Sequence, residues 1–143
     1  MVKIIKAKPK DLEDISKIWV RETSKKPYSA SWTEKTALKE IKDFYKRAEI
    51  NLAIINGKIA GFIISKIIAG GKKGYIEELR ISSKYQGKGI GTNLMEFVEK
   101  MYRKKGVKNL GVTANQKARA VHFYKKLGYK QKYAFYHMDK TLK

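Results

Sequence analysis

The sequence predicts a mixed α/β domain organised around an antiparallel strand meander. Three observations predict it. An isoleucine-rich stretch from Ile50 to Ile81 is broken twice by turn-forming residues, at Asn56-Gly57 and at Gly70-Gly71-Lys72-Lys73-Gly74. Helical periodicity occupies much of the chain before that stretch. After it, two helix-like segments each end at a glycine, Gly106 and Gly128, and each is followed by strand-like residues. The length of 143 residues fits one domain, spanning 1–143, with a single core.

The elements follow in order. Residues 3–8 alternate polar and apolar side chains and read as a short strand. Pro9 opens a turn, and a helix starts near Asp11. Leu12, Ile15, Ile18 and Trp19 give that helix one apolar face. Residues 24–30, with Pro27, read as a loop. A second helix starts near Ser31, with Ser31 and Glu34 as a capping box, and carries Leu38, Ile41, Phe44 and Tyr45. Residues 50–55 form a strand, Asn56-Gly57 a two-residue hairpin turn, and Lys58 to Ile68 a buried strand. Tyr75 to Ile81 completes the meander. The next helix has Leu94, Phe97, Val98 and Met101 as its apolar face and ends at Gly106, with Arg103, Lys104 and Lys105 suited to its negative end. Asn109 to Ala114 reads as a strand, the stretch to Leu127 as a helix, and Tyr129 to Met138 as final strand material.

Composition excludes several classes. No cysteine is present, which removes disulfides, thiolate metal sites and a cysteine nucleophile. Two histidines, His122 and His137, do not make a histidine-rich metal site, so no metal is expected. No apolar run approaches the roughly 20 residues that span a bilayer, and the start lacks a signal-peptide pattern; the expected location is the cytoplasm, without a membrane partner. The formal charge of +20 favours encounters with polyanions such as RNA or the ribosome. The lysines are spread along the whole chain, however, as in a uniformly basic solvated surface.

The most informative segment is Gln86-Gly87-Lys88-Gly89-Ile90-Gly91, between a strand and a helix. Helix N-termini carry unpaired amides and partial positive charge. Glycines let those amides approach an anion closely, and Lys88 adds a cation. The spacing is not that of a P-loop. Thr92 stands where a dinucleotide fingerprint needs its third glycine.

The surroundings narrow the reading. Gln86 to Gly91 matches the Q/R-x-x-G-x-G/A motif of the GNAT superfamily of N-acetyltransferases. Tyr75-Ile76-Glu77-Glu78-Leu79-Arg80-Ile81 resembles the strand that precedes that motif, and Phe123-Tyr124-Lys125-Lys126-Leu127-Gly128-Tyr129 is similar to the superfamily's second landmark. The likeness covers nearly the whole chain and implies a central mixed, mostly antiparallel sheet flanked by helices.

The resemblance also implies a reaction, the attack of an amine on the thioester of acetyl-CoA. By similarity, Gln86, Gly87, Lys88, Gly89, Ile90, Gly91 and Thr92 hold the pyrophosphate. The backbone of Leu79, Arg80 and Ile81 lies along the pantetheine arm, and the Leu79 amide faces the thioester oxygen. Tyr124 matches the general acid: a phenol with a pKa of about 10 stays protonated near neutral pH and so carries a proton for the leaving thiolate. The superfamily often has an asparagine seven residues before this tyrosine. Lys117 stands there, and Asn115 lies two residues earlier, so either is a cofactor contact. For the base, strand alternation puts Glu77 on the face of Leu79 and Ile81, and Glu78 with Arg80 on the other. Glu77 is therefore the catalytic candidate, unless a bulge exchanges the faces. Tyr28, Trp32 and the loop 24–31 form a candidate acceptor surface. Tyr133, Phe135 and Tyr136 line the acceptor or simply pack. Three functions remain open: an N-acetyltransferase acting on a protein N-terminus, a lysine or a small amine, possible as a homodimer; a nucleic-acid- or ribosome-associated module; or a regulatory coenzyme A binder.

Overall fold

Isoleucine-rich strands and amphipathic helices sort themselves into layers because each must bury one face. The computed structural model describes residues 1–26, 28–115 and 119–142. Within these, the strands are β1 (Lys3–Lys6), β2 (Glu49–Ile55), β3 (Lys58–Ile68), β4 (Lys73–Ile81) and β5 (Asn109–Val112). The helices are α1 (Leu12–Thr23), α2 (Glu34–Arg47), α3 (Ile90–Lys104) and α4 (Arg119–Lys126). The expected Pro27, the Lys117 contact and Lys143 lie outside the described residues. The chain divides into two compact units, Met1–Thr113 and Ala114–Lys143.

In the first unit the five strands stand in the order β1-β2-β3-β4-β5. All neighbours are antiparallel except β4 and β5, which run parallel. The β2–β3 hairpin turns at Asn56 (φ 50°) and Gly57 (φ 74°), the left-handed pair that Asn-Gly supplies. One sheet face carries Ile50, Leu52, Phe62 and Ile64, which share a core with Ile15, Ile18 and Trp19 of α1 and Ala37, Ile41 and Phe44 of α2. The opposite face meets α3: the buried Tyr102 donates its hydroxyl to buried Ser65 on β3 at 2.8 Å. Thus α1 and α2 cover one side of the sheet and α3 the other.

Two boundaries differ from the sequence reading. Helix α2 begins at Thr33–Thr36, not Ser31–Glu34: Thr33 accepts from the Thr36 amide at 3.1 Å and Thr36 accepts from the Thr33 amide at 3.0 Å. Trp32, drawn edge-on against Trp19 with ring centroids 5.4 Å apart, sits just before the cap and leaves Ser31 outside the helix. The second difference is in the second unit. Helix α4 ends as expected at Gly128 (φ 95°), with the Tyr129 amide reaching back to the Tyr124 carbonyl at 3.0 Å. Tyr129 to Met138, however, forms no strand. A strand exists through its pairing, and intrinsic preference alone does not make one. Tyr133, Phe135, Tyr136 and Met138 are exposed instead, and Tyr133 and Phe135 rest on each other.

Candidate active site

The β3–β4 register explains most of the site. Ile64 pairs with Glu78, but the next residue, Ser65, pairs with Ile76. Glu77 is therefore an extra residue, a bulge in β4. A bulge exchanges the faces of a strand. Ile76 lies opposite Ser65 on the α3 side, and after the bulge that side carries Leu79 and Ile81. Glu78 and Arg80 lie opposite Ile64 and Phe62, on the α1–α2 side. Glu77 turns to the same side, where it pairs with Lys66, which follows Ile64 by two on β3. The alternation that set Glu77 with Leu79 fails for this reason, whereas Glu78 and Arg80 share a face as expected.

On the α1–α2 side Glu78 accepts two hydrogen bonds from Arg80, at 3.1 and 2.9 Å. Burial raises the Glu78 carboxyl above its ordinary value of 4.5; Arg80 pulls it down, and the neighbouring charges of Glu77 and Glu40 add to the rise. The Arg80 guanidinium also stacks over Tyr28, 4.5 Å from its centroid, which ties the loop after α1 to β4. Tyr28 is thus at β4, while Trp32 belongs to the Trp19 core.

The edge of β4 facing β5 divides in two. Pairing to β5 runs from Lys73↔Asn109 to Ile76↔Val112 and stops there. Among the described residues no strand pairs with that edge from Glu77 to Ile81. The chain then makes a 3₁₀ turn at Ser83–Tyr85 and enters the glycine turn. Gly87 (φ 76°) and Gly89 (φ 80°) are left-handed, and Gly89 caps α3, accepting from the Asn93 amide at 3.0 Å. A Cβ built on either would meet nothing within 4 Å. The first turn of α3 holds no acidic residue. Ile90, Gly91 and Thr92 thus begin a helix whose leading amides have no intrahelical partner. Ile90 itself is buried. The exposed Lys88 extends toward the Tyr85 ring.

Gln86 behaves differently from its neighbours. Its side-chain amide turns inward, donating to Glu22 Oε1 at 3.2 Å and to the Ile81 carbonyl at 2.9 Å. Glu22, on α1, is buried and was not anticipated. It continues the stripe Leu12, Ile15 and Trp19 at helical spacing, so an acidic residue on an apolar face is the signal that marks it.

In the second unit Tyr124 is buried, its ring edge-on to Phe123 and to Tyr129 at 5.1 and 5.8 Å. Asn115 and His122 are exposed, as is His137, which lies 3.8 Å from Asp139. No group of metal-binding side chains occurs among the described residues, and none of their helices is long and apolar enough to cross a membrane.

The end of β5 pairing at Ile76, the bulge at Glu77 and the glycine turn capping α3 thus follow one another along a single stretch of chain. Comparison with known proteins gives its family: residues 12–129 match the acetyltransferase (GNAT) family, and the chain belongs to it. It is 31% identical over 88 residues to the streptothricin acetyltransferase of Streptomyces lavendulae; the match takes in 61% of this chain but 44% of that protein, so the chain spans less than half the length of this relative. Its fold is similar to that of a protein described as a possible acetyltransferase of Clostridium difficile 630, at TM-score 0.84 and 15% identity, covering 99% of both chains. It is also similar to the PaiA N-acetyltransferase of Thermoplasma acidophilum in complex with coenzyme A, at TM-score 0.73 and 26% identity, covering 91% of this chain and 90% of that one.

Proposed function

We propose that the protein transfers the acetyl group of acetyl-CoA to a primary amine by direct attack. The observation that carries this reading is the unpaired β4 edge from Glu77 to Ile81, leading into the glycine turn at the start of α3. An extended acyl-pantetheine can hydrogen-bond along such an edge as an added strand would. A pyrophosphate suits the leading amides of a helix. In this assignment Gly87, Lys88, Gly89, Ile90, Gly91 and Thr92 hold the pyrophosphate. Leu79, Arg80 and Ile81 offer backbone groups to the pantetheine, and the Leu79 amide donates to the thioester oxygen as negative charge develops there. One such donor contributes roughly 2.7–4 kcal/mol to an acyl-transfer transition state.

The amine nitrogen attacks the thioester carbon, the carbon–sulfur bond breaks, and two protons must move. The amine loses one to the Glu77–Glu78 pair, directly or through water. We take Glu78 as the base, since burial raises its carboxyl and makes the ionised form a stronger proton acceptor. Tyr124 gives its phenolic proton to the departing thiolate. Asn115 is a further cofactor contact in this reading. The acceptor is an amine of a protein or a small molecule. The Streptomyces relative is by name an acetyltransferase of streptothricin, and family membership fixes no narrower class.

The test is an acceptor screen followed by free coenzyme A release, alongside calorimetry with acetyl-CoA and coenzyme A. Thiol release that depends on an amine supports transfer. Binding without release under any acceptor favours a regulatory binder, and failure to bind either form removes both readings. RNA binding across a salt series reads the +20 charge independently.

A further inference from the structure

The glycine turn has little of its own to hold it in shape. At Gly87 and Gly89 the backbone is left-handed, and nothing lies within 4 Å of where a Cβ would stand, so no neighbour packs against that side of the turn. A loop that must present amides to an anion binds well only if ordering it costs little at the moment of binding. The rigidity must come from the residues that anchor its entrance, and these converge on one side chain.

We propose that Glu22 is a positioning residue for the anion-binding turn, clamping both ends of the Ser83–Gln86 segment to α1. Its Oε2 accepts from the Ser83 amide at 3.2 Å and the Ser83 hydroxyl at 2.7 Å. Its Oε1 accepts from the Gln86 side-chain amide at 3.2 Å. The other hydrogen of that amide goes to the Ile81 carbonyl, so Gln86 also ties the turn to the end of β4. Lys25, 3.2 Å from Oε1, and Arg21, 3.7 Å from Oε2, balance the buried charge; Lys25 also donates to Ser83, and Arg21 to Ser82 at 3.4 Å.

The clamp needs a carboxylate. Ser83 presents donors to one oxygen and Gln86 presents a donor to the other. An amide in place of the carboxylate has only one oxygen, so in either orientation a donor faces a donor. Glu22→Gln, which keeps the size of the side chain, therefore breaks the clamp. Glu22 touches neither ligand nor reacting atoms in this account. Its functional consequence rests on the reading of the turn as the pyrophosphate site.

Two measurements test it on the full chain. In the free protein, amide hydrogen exchange at Ser83, Tyr85 and Gln86, whose amides donate to Glu22, Ser82 and Ser83, should accelerate at least about tenfold in Glu22→Gln, while β2 and β3 keep native protection. By calorimetry the same variant should bind coenzyme A about tenfold or more weakly, the size expected when a buried donor loses its acceptor. Gln86→Ala removes one arm without touching the buried charge and should show part of both effects; it serves if Glu22→Gln does not fold. Because Glu22 acts through Gln86, the double variant should lose less than the product of the two single losses. Native exchange in the turn together with native coenzyme A affinity in Glu22→Gln overturns the proposal, as does strict additivity. If the wild-type protein binds no coenzyme A, the pyrophosphate reading falls, and the exchange data alone then decide whether Glu22 sets the turn.

Discussion

Gly89 offers the sharpest separation of fold from function. Its φ of 80° and ψ of 8° are left-handed, and a Cβ added there meets nothing within 4 Å. The cost of Gly89→Ala to the fold is thus the backbone preference alone, roughly 1–2 kcal/mol. Asparagine tolerates this conformation better than alanine, so Gly89→Asn should cost less. Stability should therefore rank wild type, Asn, Ala. Binding should not follow that rank. If the open space above Gly89 is where a phosphate meets the α3 amides, any side chain there obstructs the approach. A hydrogen bond to a charged group is worth about 1.5–3 kcal/mol, which corresponds to a loss of about 10- to 150-fold in coenzyme A affinity for one such contact. Urea denaturation gives the first ranking and calorimetry the second. The reasoning predicts that Gly89→Asn is nearly as stable as wild type yet binds as poorly as Gly89→Ala. Wild-type affinity in Gly89→Asn would refute it, because the glycine would then serve the helix cap only.

Four further outcomes are expected. Glu78→Gln should lower turnover more than Glu77→Gln and remove the acid limb of the wild-type pH–rate profile; a larger loss in Glu77→Gln would return the base to the bulge. The raised Glu78 carboxyl also sets a stability slope: the stability carried by its neutral form is complete below 4.5 and is lost as pH rises through its higher folded value, so Glu78→Gln should flatten that decline in urea titrations at several pH values. Tyr124→Phe should lower turnover with coenzyme A affinity largely kept, and unchanged turnover would remove Tyr124 from the mechanism. Tyr102→Phe should destabilise the sheet unit by about 1–3 kcal/mol, since it leaves the buried Ser65 hydroxyl without its partner.

The legible parts of the sequence were those whose signal is local. Asn56-Gly57 dictates its own turn, Gly106 and Gly128 their own helix ends, and β3 runs from Lys58 to Ile68 as its isoleucines indicate. The family motif pointed to the turn before α3 because its glycines are close together in sequence. What escaped was set at a distance. Thr33 replaced Ser31 as a cap because Trp32 packs on Trp19, thirteen residues earlier in number. Tyr129 to Met138 has the composition of a strand, but composition supplies no partner. Glu22 lies 61 residues from Ser83, and only the fold brings a helix end onto a turn at that separation.

The bulge at Glu77 shows why a one-residue irregularity matters more than most substitutions. Without it, Ile76, Glu78 and Arg80 would share one face, and a buried isoleucine would occupy the same layer as an ion pair. With it, Ile76 packs on the α3 side while Glu78 and Arg80 open toward Tyr28 and Glu40 on the other. The same strand also changes its edge there: Ile76 is the last residue paired to β5, and among the described residues no strand pairs with that edge beyond it. One position thus ends the parallel pairing, frees backbone groups along one edge, and turns carboxylates to the helical face. A bulge is therefore not a defect that happens to lie near the candidate site. In the proposed mechanism it is the step at which a structural strand becomes a surface that holds an extended thioester on its edge and receives an amine's proton on its face.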